Sequence, residues 1–228
     1  MDSNSLIINL KDASFSYSGN KFVLDNLSFQ LHSGERIGMV GPNGSGKTTL
    51  FHIIMGLLSP SSGSIELFGK PAHEEKDFRE ARKKIGLLFQ DADDQLFSPT
   101  VLEDVAFGPL NLGKSPNEAR DIALKTLARL DLFGFENRIT YKLSGGEKRL
   151  VSLATVLAMD PEVLLLDEPT NGLDDETEDK ITEILKGLNL SCIFISHNLD
   201  FLFKTTDKIY AMANGKIFLD EALVPHSH

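Results

Sequence analysis

A single cysteine, Cys192, is all the thiol chemistry available in 228 residues, so no internal disulfide can form. It lies in the apolar run from Ser191 to Ile195, which reads as a buried strand with Cys192 as a small core residue rather than a nucleophile. Long apolar runs are missing as well: the most extended, Ile53 to Leu58, falls far short of the roughly 20 residues a membrane-crossing helix needs. The first residues, Met1 to Ser5, carry no basic segment followed by an apolar one, so no secretory leader is expected and a cytoplasmic setting is. Positive charge is scarce. With 23 Lys and Arg against 33 Asp and Glu, the net charge of -10 disfavours nucleic acid as a partner. The one dense basic cluster, Lys76 to Lys84, is interleaved with Asp77 and Glu80 and reads as a solvated helix. There is no internal repeat, low-complexity stretch or metal-ligand cluster; the six histidines are scattered, and His226 with His228 forms only a weak pair. What remains, 41% hydrophobic and 25% charged, is the composition of an ordinary globular protein.

Against these absences stands one dense feature. Gly41, Pro42, Asn43, Gly44, Ser45, Gly46, Lys47 and Thr48 fit the pattern G-x-x-x-x-G-K-[ST]. The apolar run Arg36 to Val40 precedes it, and Thr49 to Met55 can continue as a helix. Strand, glycine loop and helix is the order that phosphate binding requires: glycines let backbone N–H groups turn onto phosphate oxygens, and the helix N-terminus adds partial positive charge. Lys47 then reaches the terminal phosphates and Thr48 offers its hydroxyl to Mg2+, which makes a nucleoside triphosphate the expected ligand.

Four apolar runs without polar alternation, Ile37 to Val40, Ile85 to Phe89, Val163 to Leu166 and Ile193 to Ile195, suit strands buried on both faces of a parallel sheet. Towards the N-terminus, Leu6 to Leu10, Ala13 to Tyr17 and Leu27 to Leu31 alternate more clearly and are expected to be three antiparallel strands. Between Pro116 and Leu132, Ile122, Ala123, Thr126, Leu127 and Leu130 share a helical face, and no strong strand signal appears from Asp91 to Asp160. The expectation is an α/β core with an N-terminal antiparallel β subdomain and a helical subdomain, about 91–160, inserted in it.

Val163 to Leu166 runs into Asp167 and Glu168, two carboxylates at the end of a buried strand, where open α/β sheets bind ligands. Phosphoryl transfer has work for both: Asp167 to hold Mg2+ through its water shell, Glu168 to orient or deprotonate the attacking water. Ser144, Gly145 and Gly146 open a second apparent helix with Leu150, Leu153, Ala154 and Leu157 on one face. Taken alone, Ser144 reads as an N-cap; beside the glycine loop it can also supply a second set of anion donors.

Leu143 to Glu147 resembles the signature motif of ATP-binding cassette (ABC) ATPases, and it lies shortly before Val163 to Glu168 as that family requires. The resemblance covers nearly the whole chain and implies a P-loop NTPase (RecA-like) core in a single domain spanning 1–228. It also implies a head-to-tail pair of cassettes in which the Lys47 loop of one and the Ser144, Gly145, Gly146 and Glu147 segment of the other enclose one ATP. Further roles follow by resemblance. Gln90 matches the loop glutamine that touches Mg2+ and relays ATP binding to a membrane partner, although alone it could be any polar strand end. His197 matches the switch histidine supporting Glu168, although alone it reads as a helix-cap histidine. Tyr17 matches the aromatic that stacks on adenine, although core packing with Phe15 would look similar. Asn171 to Asp174 matches the loop joining the two halves of the dimer. Glu147 stands where many relatives carry Gln, and Asn171 where many carry Ser or Ala.

The segments Leu88 to Thr100 and Val101 to Leu112 are similar to the corresponding region of energy-coupling-factor importers, above all their cobalt and nickel branch. In that family the region from Gln90 to Phe107 borders a groove receiving a coupling helix from the transmembrane subunit. Val156 to Pro161 extends the likeness. Vitamin-importing relatives often carry a longer C-terminal extension than this chain, which favours the metal branch. The resemblance therefore implies the ATP-hydrolysing subunit of such an importer at the cytoplasmic face of the membrane. Its implied partners are a second copy or a sister ATPase, a transmembrane scaffold and a substrate-binding membrane subunit. The alternatives are the ATPase of another ABC importer or exporter, or a soluble ABC ATPase outside transport.

Overall fold

The computed structural model describes residues 5–17 and 21–220. The pair His226 and His228, like residues 1–4, lies outside the described residues. Two sheets organise the chain. The smaller pairs β1 (Leu6–Phe15), β2 (Leu24–His32), β4 (Ser62–Leu67) and β5 (Lys70–Pro71) in the order β2-β1-β4-β5, antiparallel throughout. The larger takes β3 (Arg36–Val40), β6 (Ile85–Leu88), β7 (Val163–Asp167), β8 (Ser191–Ile195), β9 (Lys208–Ala213) and β10 (Lys216–Leu219) in the order β10-β9-β3-β8-β7-β6. It is parallel except for the β9–β10 hairpin at one edge.

The four continuous apolar runs all fall in the parallel part, and the reason for their composition is visible in the packing. Val163 and Leu165 enter a core shared with the small sheet, whereas Leu164 and Leu166 enter a second core under the helices, so β7 has no solvent face. Cys192 is buried in this second core, and burial pushes its thiol up to about 11, as expected of an inert core residue.

The N-terminal expectation needs correction. Leu6 to Leu10 and Ala13 to Tyr17 are not two strands joined by a turn. Leu6–Phe15 is one strand with a register shift between Leu10 and Ala13, where Asp12 adopts φ 51. This is a β-bulge: Lys11 and Asp12 are both exposed, which breaks the alternation without reversing the chain. Gly63 of β4 packs on it at φ 89, and a Cβ there would lie 2.5 Å from the Lys11 and Asp12 carbonyl oxygens, so only glycine permits this approach. Tyr17 lies beyond the strand.

The helices are α1 (Lys47–Ile54), α2 (Glu75–Arg82), α3 (Val101–Asn111), α4 (Pro116–Arg129), α5 (Gly145–Leu157), α6 (Asp175–Lys186) and α7 (Leu199–Thr205). Residues 91–160 contain α3, α4, α5 and two 3-10 turns, with no named strand. Three starts in this region are capping boxes: Thr100 with Glu103, Ser115 with Glu118, and Ser144 with Glu147. The lobe closes on Val101, Val105, Ala119, Ala123, Leu127 and Val151. Asp104, buried at its centre, accepts N–H groups of Phe97 and Ser98 and the Thr140 hydroxyl, so its charge is held by three donors. The basic cluster near Lys76 falls mainly on α2, which buries only Phe78 and Ala81.

Candidate functional site

The loop between β3 and α1 is shaped by close approaches. Gly41 has φ 149, and a Cβ there would stand 2.2 Å from the Met212 carbonyl oxygen on β9. Gly46, at φ 108, is the N-cap of α1 and offers no side chain to its first turn, which also contains no acidic residue. The N–H groups opening α1 are thus left for an external acceptor. The Ser45 hydroxyl is buried without a protein partner, a further donor suited to an anion. Lys47 folds back over the loop, donating to the carbonyls of Gly41 (2.7 Å) and Pro42 (3.2 Å). Burial lowers its pKa, while Glu168 and Asp167 favour its charged form.

Asp167 ends β7 and accepts the Thr48 hydroxyl at 2.7 Å. Burial pushes its carboxyl up, with the Thr48 bond and the Lys47 charge opposing. Thr48 and Asp167 thus pair two hard oxygen donors beside the phosphate loop, a donor set that fits Mg2+. Glu168 follows in the left-handed region, φ 48, unusual for a residue with a side chain. Its N–H donates to the Ile195 carbonyl at 2.9 Å, and its carboxylate accepts the His197 N–H at 3.3 Å. The His197 Nε2 lies 3.4 Å from Glu168 Oε1 and 3.2 Å from Asn43 Oδ1, so its ring bridges the phosphate loop and the end of β7. Burial also raises the Glu168 carboxyl, partly offset by the His197 N–H. A carboxylate held at raised proton affinity, 10% exposed and aimed by one backbone donor, is equipped to take a proton from water.

Most of the expected residues converge. Tyr17, Asn43, Gly44, Gly46, Lys47, Thr48, Thr49, Gln90, Asp167, Glu168, Asn171 and His197 line one cavity of about 680 Å³. The two readings of Tyr17 separate: Phe15 is core, whereas Tyr17 keeps 62% of its surface exposed, stands edge-on to Phe15 and reaches the Thr49 hydroxyl at 3.0 Å. Its ring is free to cover a flat base.

Other expected residues are not in this cavity. Ser144 caps α5, its hydroxyl accepting the Glu147 N–H, and Glu147 pairs bidentately with Arg138 at 2.7 and 3.1 Å. Gly145 borders an adjoining cavity of about 650 Å³ that also reaches Gln90 and Asp167. Asp174 caps α6 by accepting the Thr177 N–H. Thr177 lies against Gly146, so the starts of α5 and α6 meet. One residue escaped sequence reasoning altogether. Arg149 of α5 is 4% exposed and donates to the carbonyls of Phe89 and Gln90, each at 2.6 Å, and of Glu168 at 2.9 Å. Helical periodicity points to Leu150 and Leu153 as the inner face and has no signal for a buried charge beside them.

A family profile described as ABC transporter matches residues 24–171, from the second strand through the carboxylate pair to Asn171. The chain belongs to this family. The ABC protein is also 49% identical to a putative ABC transporter ATP-binding protein of Nitratidesulfovibrio vulgaris, over 97% of this chain and 81% of that one. It is 44% identical to the energy-coupling factor transporter ATP-binding protein EcfA of Methanocaldococcus jannaschii, over 92% and 77% of the two chains. Among solved structures it resembles cbiO1 of Clostridium perfringens, part of the ABC transporter complex cbiONQ, with TM-score 0.84, 35% identity and 94% and 88% coverage. A dimeric ATP-binding cassette, MJ0796, in a post-hydrolysis state with ADP and Pi superimposes with TM-score 0.86 at 27% identity, covering 97% of this chain and 100% of the other. The ABC protein is therefore the ATP-binding, ATP-hydrolysing subunit of a transporter, and the α/β architecture with its antiparallel sheet and helices is the family's. Among the described residues no helix is long and apolar enough to cross a membrane.

Proposed function

We propose that this ABC ATPase powers an energy-coupling-factor importer, of cobalt or nickel ions, from the cytoplasmic face of the membrane. The observation carrying the reading is an exposed aromatic groove at the junction of core and helical lobe. Phe97 and Phe107, 66% and 45% exposed, stack edge to face at 4.8 Å. Leu57, Phe89 and Met159 are among the apolar residues that line it with them. Such a groove suits an amphipathic helix of a membrane subunit. Its lining residue Phe89 directly precedes Gln90 of the nucleotide cavity, so occupancy of the groove and contents of that cavity can influence one another. The likeness to proteins named for energy coupling and to a part of cbiONQ supports this branch.

In the proposed cycle two copies, or one copy and a sister ATPase, close on ATP. The Gly41 to Thr49 loop cradles the phosphates, Tyr17 covers the base, and Ser144 to Glu147 with Asp174 of the opposing subunit complete the enclosure. Thr48, Asp167 and Gln90 would hold Mg2+, which when bound offsets phosphate charge. Glu168 takes the proton of the attacking water, and His197, held against Glu168 and Asn43, steadies that carboxylate. Release of ADP and phosphate reopens the pair. The test is to purify tagged Glu168→Gln protein from solubilised membranes with ATP present and identify the co-purifying chains by mass spectrometry. An integral scaffold together with a small metal-binding membrane protein is expected; recovery of exporter subunits or only soluble partners would overturn the importer reading.

A further inference from the structure

We infer that Arg149 is a positioning residue for ATP hydrolysis, tying the backbone of the Gln90 loop to that of Glu168 so that the hydrolytic carboxylate is aimed only while that loop is seated. The contacts described above make its guanidinium a three-way junction. It leaves α5 within two turns of Ser144, reaches the loop after β6 through Phe89 and Gln90, and reaches the end of β7 through the Glu168 carbonyl. Its side-chain hydrogen bonds all go to peptide carbonyls, none to a carboxylate, so its fixed geometry comes from oriented backbone dipoles, while Asp167, Asp91 and Glu168 favour its charge from nearby without a hydrogen bond.

Glu168 shows what this junction controls. Its left-handed backbone is held at both ends: the N–H by Ile195, the carbonyl by Arg149 and by the Asn171 N–H at 3.2 Å. A strained backbone persists where its surroundings over-determine it, and here one of the restraints comes from another lobe. Gln90 is exposed and its carbonyl rests on the same guanidinium nitrogen that holds Glu168. A shift of the loop at the partner-facing groove therefore alters the restraint on the carboxylate, with no contact between the Gln90 and Glu168 side chains required. Arg149 makes no hydrogen bond to the Gly41 to Lys47 loop and holds Gln90 only by its backbone, so its main bearing is on turnover rather than on nucleotide affinity.

The experiment compares Arg149→Lys and Arg149→Met with the wild-type chain. Lysine keeps the charge but places all its donors on one atom and cannot span three carbonyls; methionine keeps buried bulk without charge. In both, kcat for ATP is expected to fall about 10- to 100-fold while ATP affinity stays within about threefold, as displacement of a reacting group does. Hydrogen exchange should quicken together at Phe89, whose N–H is held by Gln95, and at Asn171, with the rest of α5 unchanged. Unchanged turnover in either folded variant, or a lower melting temperature with wild-type turnover per folded molecule, would overturn the inference. Failure of both variants to fold would assign Arg149 to stability alone and overturn it equally. The inference rests on Glu168 acting on water. Glu168→Gln with undiminished turnover would overthrow that reading, whereas an inactive Glu168→Gln beside fully active Arg149 variants would overthrow only the role of Arg149.

Discussion

If Glu168 is the base proposed above, replacing it by glutamine isolates proton transfer from everything else the residue does. The substitution keeps side-chain length and volume, leaves the φ 48 backbone and its N–H bond to Ile195 in place, and still offers an oxygen to the His197 N–H. No phosphate-loop hydrogen bond depends on the carboxylate, so ATP should bind with its affinity altered by less than about threefold, under ~1 kcal/mol. What disappears is the acceptor for the water proton. A positioned general base contributes about 10²- to 10⁴-fold, which raises the barrier by roughly 3–5.5 kcal/mol. Burial holds the Glu168 carboxyl above the ordinary glutamate range, so removing the charge also relieves a desolvation cost, and melting temperature should hold or rise. The assay pairs steady-state and single-turnover ADP formation with equilibrium binding of a fluorescent ATP analogue. Turnover within about tenfold of wild type, with binding intact, would refute the assignment of Glu168 as the base.

Gly41→Ala should destabilise the chain by about 2–5 kcal/mol, because its Cβ would press on backbone, the Met212 carbonyl, from a conformation alanine adopts poorly. A melting temperature unchanged within a degree or so would show that the loop yields where this packing says it cannot. The Glu35–Lys208 pair, 2.7 Å apart, joins the start of β3 to the start of β9 and should make stability pH-dependent at both extremes. Burial raises the Glu35 carboxyl, but the Lys208 ammonium and the His32 N–H outweigh it and hold it below its usual value. Its contribution is therefore complete above 4.5 and is lost as pH falls through the lowered value. Lys208 is raised, chiefly by its bond to Glu35, so its contribution is complete below 10.5 and is lost as pH climbs through the raised value. Urea unfolding should find Glu35→Gln less stable than wild type at neutral pH, with the deficit shrinking at both ends; an equal deficit in strong acid would rule the pair out as its source.

The phosphate loop, the four buried parallel strands and the carboxylate pair were legible because each depends on residues adjacent in the chain. Strand runs declare themselves when both faces are buried, and the glycine pattern declares itself because only certain backbones can turn inward. The N-terminal sheet was harder. Two consecutive exposed residues at Lys11 and Asp12 look like a turn, and only the register with β2 and β4 distinguishes a bulge from a reversal. The strands β9 and β10 went unread, although Asn214 and Gly215, both at positive φ, form the kind of turn that closes a hairpin. With a run as short as Lys208–Ala213, the pairing with β3 carries the assignment.

By itself, then, the sequence determined which local conformations were possible: the glycine cradle, the cap at Ser144, and an apolar strand delivering Asp167 and Glu168 to its end. Only the tertiary structure decided which of these meet. Thr48 and Asp167 are 119 positions apart and share a hydrogen bond; His197 bridges Asn43 and Glu168 across the mouth of the sheet. Arg149 is the clearest case. Its three partners lie in two other segments of the chain, all of them backbone carbonyls. Every residue carries such a carbonyl, so nothing in the identity of the partners marks them, and the contact exists only once β6, β7 and α5 have packed.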